Sequence, residues 1–69
     1  MPGEPKPAPL TAPEKQILSL VRQGLRDKEI AVALSLEESV VKDRIRTVSD
    51  KLDLPDRLQL AIYAKRHNL

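Results

Sequence analysis

After residue 10 the apolar residues recur every three or four positions, which is the period of an amphipathic helix. Three of them form one stripe of the first such segment: Ile17, Leu18 and Val21. Thr11 and Glu14 have the spacing of a capping box, in which each side chain accepts a hydrogen bond from the backbone of the other residue. Gly24 suits the left-handed conformation that commonly ends a helix. The pattern predicts a first helix from about Ala12 to Gln23.

Two further segments show the same period. The shorter one runs from Asp27, which is expected to be its N-cap, to Leu34. Its apolar face is made of three residues: Ile30, Ala31 and Leu34. The longer one, from about Glu38 to Leu52, places four apolar residues on one face: Val41, Ile45, Val48 and Leu52. We therefore expect a second and a third helix joined by a short turn at Ser35.

A fourth segment follows Asp56, a residue type that favours helix N-caps. Its pattern predicts that Leu58, Ala61 and Ile62 face inward. On the opposite side, four residues form a strip that we expect to be exposed and to serve as a dimer interface: Leu60, Tyr63, Ala64 and His67. The alternative for Tyr63 is packing over the end of the first helix.

The helical segments together define the expected fold. No stretch alternates apolar and polar residues with a period of two, so we expect no strand. The chain should form an all-α, four-helix bundle-like domain. Two short helices joined by a turn and followed by a longer helix have the geometry of a helix-turn-helix, which presents its later helix to the major groove of DNA.

The outer face of the third helix carries the candidate chemistry. Six residues lie there, flanked by Arg44 and Lys51: Ser39, Lys42, Asp43, Arg46, Ser49 and Asp50. Lys42 and Arg46 are one helical turn apart and are long enough to reach guanine edges or phosphates. Lys28, at the start of the second helix, is placed for a phosphate contact. The alternative is that these mixed charges form an ordinary solvated surface.

Composition restricts the class of protein. The chain has 69 residues and no cysteine, which allows one domain without disulfides or a zinc finger. Five of the six prolines lie in the first 13 residues, so we expect a disordered Pro-rich tail or linker at residues 1–9 and the domain at residues 10–69. The N-terminus lacks the apolar stretch of a signal peptide, and no segment is apolar enough to span a membrane, so a cytoplasmic location is expected.

Binding is a better expectation than catalysis. A domain of this size rarely encloses a water-excluding pocket, and the sequence has no phosphate loop, nucleophile constellation or metal-ligand spacing. We expect no enzyme activity, no cofactor and no metal. The net charge of +2 is compatible with a nucleic-acid partner but does not by itself indicate one.

Five short runs resemble the DNA-binding domain of LuxR/GerE-type bacterial transcription regulators. They are Leu10-Thr11-Ala12-Pro13-Glu14, Val21-x-x-Gly24-Leu25-x-x-Lys28-Glu29-Ile30-Ala31, Leu34-x-Leu36, Val41-Lys42 and Lys51-Leu52-x-Leu54. Each run is weak alone, and their joint spacing is a strong signal. The resemblance implies a four-helix domain whose third helix enters the major groove and whose fourth helix often mediates dimerisation on inverted half-sites.

The resemblance also implies roles for individual residues. Those at the base-contacting positions are Lys42, Asp43 and Arg46. The expected phosphate-contacting set, with the flanking arginine included, is Lys28, Ser39, Arg44 and Lys51. The implied partners are double-stranded DNA and a second copy of the chain, and RNA polymerase is a further candidate for a transcription regulator.

Two observations leave alternatives open. The run Val41-Lys42-Asp43-Arg44-Ile45 also resembles the DNA-reading helix of region four of bacterial sigma factors, but there the segment from Lys51 to Tyr63 has no counterpart. Glu37 and Val40 stand where LuxR-type domains usually have a serine and a threonine, and residues 37–52 carry four basic and four acidic side chains. The leading hypothesis is therefore sequence-specific DNA binding, and the second is a protein-interaction module on the same scaffold.

Overall fold

The computed structural model describes residues 10–69, so the expected Pro-rich tail at residues 1–9 lies outside the described residues. Residues 10–69 form four α-helices and no strand, which confirms the all-α class. The helices are α1 (Ala12–Arg22), α2 (Asp27–Leu34), α3 (Glu38–Leu52) and α4 (Arg57–Arg66). None of these helices is long and apolar enough to cross a membrane.

Local hydrogen bonds explain where α1 and α4 begin. The Glu14 amide donates to Thr11 Oγ1 at 3.3 Å, and the Thr11 amide donates to Glu14 Oε1 at 2.8 Å, as the capping-box spacing predicts. The Leu58 amide donates to the Asp56 carboxylate at 3.1 Å, which confirms Asp56 as the N-cap of α4. Gly24 has a φ of 87°, which is the left-handed conformation expected after α1.

The start of α2 differs from the prediction. Its N-cap is Arg26 rather than Asp27, which is the first helical residue. The Arg26 amide donates to the Glu29 side chain at 2.7 Å, which is one of the two bonds of a capping box. The second bond cannot form, because an arginine side chain has no acceptor. The Asp27 carboxylate instead contacts the Arg57 guanidinium, 2.6 Å away.

α1 lies at the centre of the domain because it packs against α2, α3 and α4, while α2 packs on α3. Nine buried apolar side chains from all four helices form the core: Ile17, Leu18, Val21, Ile30, Ala31, Val41, Val48, Leu60 and Ala64. The turn between α2 and α3 contains Ser35 in the left-handed conformation, with φ 55°. Leu36 follows it and packs against the core.

The prediction for α4 was wrong about which face is buried. Leu60 and Ala64 are 1% and 0% exposed, whereas Leu58 and Ile62 are 65% and 45% exposed. Leu60 and Ala64 thus belong to the core rather than to an exposed strip. Ala61, which was predicted to face inward, is half-buried and does pack against the core. α4 has apolar residues on both sides, so its period alone does not determine which side is buried. Its packing against α1 determines the buried side.

The other two members of the predicted strip also have partners within the chain. Tyr63 is half-buried and packs against the core, so it does not lie on an exposed apolar strip. Its ring stacks on the His67 ring, with 4.1 Å between the centroids. The predicted dimer interface of Leu60, Tyr63, Ala64 and His67 therefore does not exist as an exposed apolar surface.

Glu14 connects the beginning of α1 to the end of α3. It is 7% exposed, and its Oε1 lies 2.8 Å from the Lys51 ammonium. The hydrogen bond from Lys51, and then that from the Thr11 backbone, hold the pKa of Glu14 below its usual range, against the opposing effect of burial. The carboxylate therefore stays charged in a nearly buried position.

Candidate nucleic-acid interface

The helix-turn-helix formed by α2 and α3 leaves one face of α3 open to solvent. Packing on α2 and α1 uses Val41 and Val48, which are fully buried. The three predicted base-contacting residues all lie on the exposed side: Lys42, Asp43 and Arg46. This face is wide enough to include exposed Ser39 and Asp50 as well. The structure therefore brings together the residues that the family resemblance implies for base contact.

The charges on this face are weakly constrained by other side chains. The Lys42 ammonium lies 3.5 Å from Glu38, one turn earlier on the same helix, and both side chains are exposed. An exposed pair of this kind has little effect on stability, so Lys42 remains available to another anion. Within residues 10–69, Asp43 and Arg46 form no ion pair. The three predicted base-contacting residues thus offer two cations and one carboxylate to a ligand.

Two of the four predicted phosphate-contacting residues are exposed near this face. Ser39 lies in the first turn of α3, and Lys28 is the second residue of α2. Lys28 and Lys42 line the same surface groove, although they belong to different helices. The structure is therefore compatible with a phosphate contact on the α2 side of the exposed face of α3.

The other two residues of that set, Lys51 and Arg44, are partly buried against the rest of the domain. The Lys51 ammonium is bound to Glu14 on α1. Arg44 is half-buried beside Ile17, Leu34 and Leu36, and its Nε is buried without a hydrogen-bond partner among the described residues. Both side chains point toward α1 or α2 because the helical period turns residues 44 and 51 away from residue 42. We therefore remove Arg44 and Lys51 from the candidate interface.

Arg57, which sequence reasoning missed, connects α4 to the start of α2. One guanidinium nitrogen, Nη1, donates to the Asp27 carboxylate at 2.6 Å, and Nη2 donates to the Leu25 carbonyl at 2.7 Å. These partners are 30 and 32 positions away in sequence. A helical period describes neighbours on one helix only, so nothing in the sequence indicated this contact.

Arg57 also contributes to a charged depression beside the exposed face of α3, which we call the basic groove. It is lined by four cations and two carboxylates: Arg26, Lys28, Lys42, Arg57, Asp27 and Glu38. The residues come from the loop before α2 and from α2, α3 and α4. In the described part of the chain, no group of three or more His, Cys, Asp or Glu residues is placed to hold a metal ion.

Comparison with known proteins agrees with this architecture. Residues 8–64 match the family described as "Bacterial regulatory proteins, luxR family". Over 60 residues the chain is 42% identical to the transcriptional regulatory protein LiaR of Bacillus subtilis (strain 168) and 40% identical to the uncharacterized transcriptional regulatory protein YhcZ of the same strain. It is also 40% identical over 60 residues to the response regulator protein VraR of Staphylococcus aureus (strain NCTC 8325 / PS 47).

These matches cover different shares of the two chains. Each includes 87% of this chain, but 28% of LiaR and YhcZ and 29% of VraR. The chain thus spans less than a third of the length of these relatives. The family and the relatives are regulators rather than enzymes, and the family match covers α1, α2, α3 and most of α4. The chain therefore belongs to the LuxR family of bacterial regulatory proteins, whose helix-turn-helix domain supports a role in DNA-binding transcription regulation.

Proposed function

We propose that this domain binds double-stranded DNA in a sequence-specific manner, with α3 in the major groove, as part of a transcription regulator. The observation that carries the proposal is the position of Lys42, Asp43 and Arg46 on the exposed face of the helix that follows the α2–α3 turn. The major groove of B-DNA is wide enough to admit one α-helix. A helix held by its opposite, buried face suits that role.

The side-chain chemistry of this face supports base recognition. Lys42 and Arg46 carry donors that match the O6 and N7 acceptors of guanine. The Asp43 carboxylate accepts a hydrogen bond from the N4 amino group of cytosine. A carboxylate between two cations also repels phosphates, so it lowers affinity for arbitrary DNA. We therefore expect selectivity from this face and few phosphate contacts.

We further propose that two copies of the domain associate through α4 when bound to DNA. The exposed residues Leu58 and Ile62 lie one turn apart on α4 and form the centre of this surface. Acidic residues precede the helix, at Asp53 and Asp56, while Lys65 and Arg66 lie in its last turn. An antiparallel arrangement about a two-fold axis brings the acidic end of each α4 next to the basic end of the other.

A second candidate function is that of a protein-interaction module. It is favoured by the equal numbers of acidic and basic residues over positions 37–52, and by Glu37, which caps α3 without a side-chain hydrogen bond. Nucleic-acid-binding helices usually carry an excess of positive charge. This alternative retains the scaffold and loses selective contact with bases.

A selection from random duplexes at low salt separates the two functions. We expect the domain to enrich a defined motif, and Lys42→Ala and Arg46→Ala each to weaken binding to that motif by about 1–3 kcal/mol. Lys15→Ala, which removes an exposed lysine from α1, is the matched control. Circular dichroism checks that helical content is unchanged. Failure to enrich any sequence, or equal binding by all variants, contradicts the DNA-binding proposal and favours the interaction module.

A further inference from the structure

The basic groove combines residues that are distant in sequence into one cationic site. Arg26 and Lys28 form no ion pair within residues 10–69, whereas Lys42 and Arg57 are each held by a carboxylate. The groove, with four cations and two carboxylates, is more positive than residues 37–52, where acidic and basic residues are equal in number. Cations that a loop and three helices bring together attract an anion more strongly than the same cations spread over the surface.

Arg57 is held in place before any ligand arrives. Its two hydrogen bonds, to Asp27 and to the Leu25 carbonyl, fix the plane of the guanidinium group. A guanidinium has five N–H donors, so three remain for another acceptor. Because the side chain is already ordered, little further conformational entropy is lost when it binds.

The position of the groove identifies the source of the anion. Lys42 belongs both to the groove and to the exposed face of α3, so the two surfaces are continuous. A helix in the major groove has a phosphodiester strand along each side. A groove that begins at the edge of the DNA-reading face therefore lies where that strand passes.

We propose that the basic groove binds a phosphate of the DNA backbone, with Arg26, Lys28 and Arg57 as its donors. This inference rests on the proposed function and adds Arg26 and Arg57 to the interface. Asp27 restrains the site, because it occupies part of the Arg57 guanidinium and repels the incoming phosphate. Binding of DNA thus competes with the Asp27–Arg57 ion pair.

The salt dependence of binding tests the site. The probes are a duplex selected by the parent domain and a mixture of random 30-base-pair duplexes. Each lost phosphate contact lowers the slope of log K against log salt concentration by about 0.9, which corresponds to about tenfold in affinity at 0.1 M salt. We expect Arg57→Gln to lower both the slope and the affinity by these amounts with each of the two probes. Arg57→Lys should retain most of the slope because it retains the charge.

Matched controls separate the site from a general effect of charge. Lys15→Gln removes a cation from the exposed side of α1, outside both the groove and the α4 surface. Asp27→Asn should raise affinity several-fold, and this gain should disappear in the double variant Asp27→Asn/Arg57→Gln. Glu29→Gln makes the same charge change on the same helix, at an exposed residue that does not line the groove. Circular dichroism and thermal melting of each variant identify any loss of folding.

The outcomes distinguish this proposal from the proposed function. If the parent binds neither probe, the DNA-binding function itself is wrong. If the parent binds and Arg57→Gln has the same slope as Lys15→Gln, the groove proposal is overturned while DNA binding stands. If Arg57→Gln fails to fold, Asp27→Asn becomes the deciding variant. A purely structural Asp27–Arg57 ion pair predicts that Asp27→Asn binds DNA as well as the parent or more weakly, whereas the phosphate site predicts that it binds more strongly.

Discussion

At the scale of the residue, Glu14 does two tasks with one carboxylate. Its Oε1 accepts both from the Thr11 amide, which caps α1, and from the Lys51 ammonium, which attaches the end of α3. The lowered pKa of Glu14 means that its charged form is favoured by folding. Its contribution to stability is fully present above the ordinary glutamate pKa of about 4.3. It is lost as the pH falls through the lower pKa of the folded state.

Glu14→Gln tests this linkage, because glutamine can keep the capping hydrogen bond while it removes the charge. We expect a loss of about 1 kcal/mol at neutral pH, or a melting temperature lower by about 5 °C. The difference from the parent should shrink as the pH falls below about 4. Thermal unfolding across this pH range measures it.

Glu29→Gln is the matched control for that experiment. Glu29 occupies the same N3 position in α2 and caps Arg26, but it is exposed and forms no ion pair within residues 10–69. We expect a small loss of stability there, because the substitution removes no ion pair. A Glu14→Gln deficit that stays constant from neutral to acidic pH contradicts the assigned role of the charge.

At the scale of the element, α3 shows how rotation about one helix axis separates binding from packing. Arg44 and Arg46 are two positions apart, and the helical period therefore points them in different directions. Arg46 is exposed on the DNA-reading face, whereas Arg44 lies against Leu34 and Leu36. The buried Nε of Arg44 has no hydrogen-bond partner among the described residues. The apolar stem of Arg44 therefore contributes more to the stability of the fold than its charge does.

Comparison of Arg44→Met with Arg46→Met tests this division of α3. Methionine keeps the apolar stem of Arg44 and removes a buried donor that lacks a partner, so the melting temperature should be unchanged or slightly higher. Binding to a selected duplex should also be unchanged. Arg46→Met should keep the melting temperature but weaken binding by about 1–3 kcal/mol. If Arg44→Met binds DNA more weakly while its stability is unaltered, Arg44 belongs to the interface and the division proposed here is wrong.

The elements themselves were largely predictable from the sequence. The bounds of α3 and the caps at Thr11, Gly24 and Asp56 follow from local spacing, and local spacing is what a sequence displays directly. The buried face of α4 was not predictable, because that helix is apolar on two sides and only contact with α1 distinguishes them. The partners of Lys51 and Arg57 were missed for the same reason, since each lies 30 or more positions away.

At the scale of the whole molecule, the corrected faces of α4 divide its leucines between folding and association. Leu60 is in the core, whereas Leu58 is exposed one turn before Ile62. Exposed apolar residues at this spacing are suited to a second copy of the helix. The base-contacting face of α3 is not part of this surface, so association leaves it available.

The double variant Leu58→Ser/Ile62→Ser tests association without disturbing the core. We expect it to keep the melting temperature within a few degrees, because both side chains are already exposed. On a duplex with two inverted copies of the selected motif, it should bind as independent monomers. Analytical ultracentrifugation of the DNA complex measures the number of domains bound at each concentration.

Leu60→Ala provides the contrasting variant. It should destabilise the fold by about 2–5 kcal/mol, because it leaves a cavity in the core. If Leu58→Ser/Ile62→Ser has the same cooperativity as the parent on the paired motif, the α4 surface is not the contact between copies.

The packing of α1 on α4 has a further consequence, for the order in which the domain folds. α1 ends at residue 22 and α4 begins at residue 57, so their contact closes a long loop whose entropy opposes early docking. In a chain that elongates from its N-terminus, α2 and α3 emerge before Leu60 and Ala64 can complete the core beneath α1. The exposed face of α3 therefore becomes rigid late in synthesis, when α4 has been made. A nascent chain that ends before α4 contains the residues of α3 but lacks the packing that holds this helix in place.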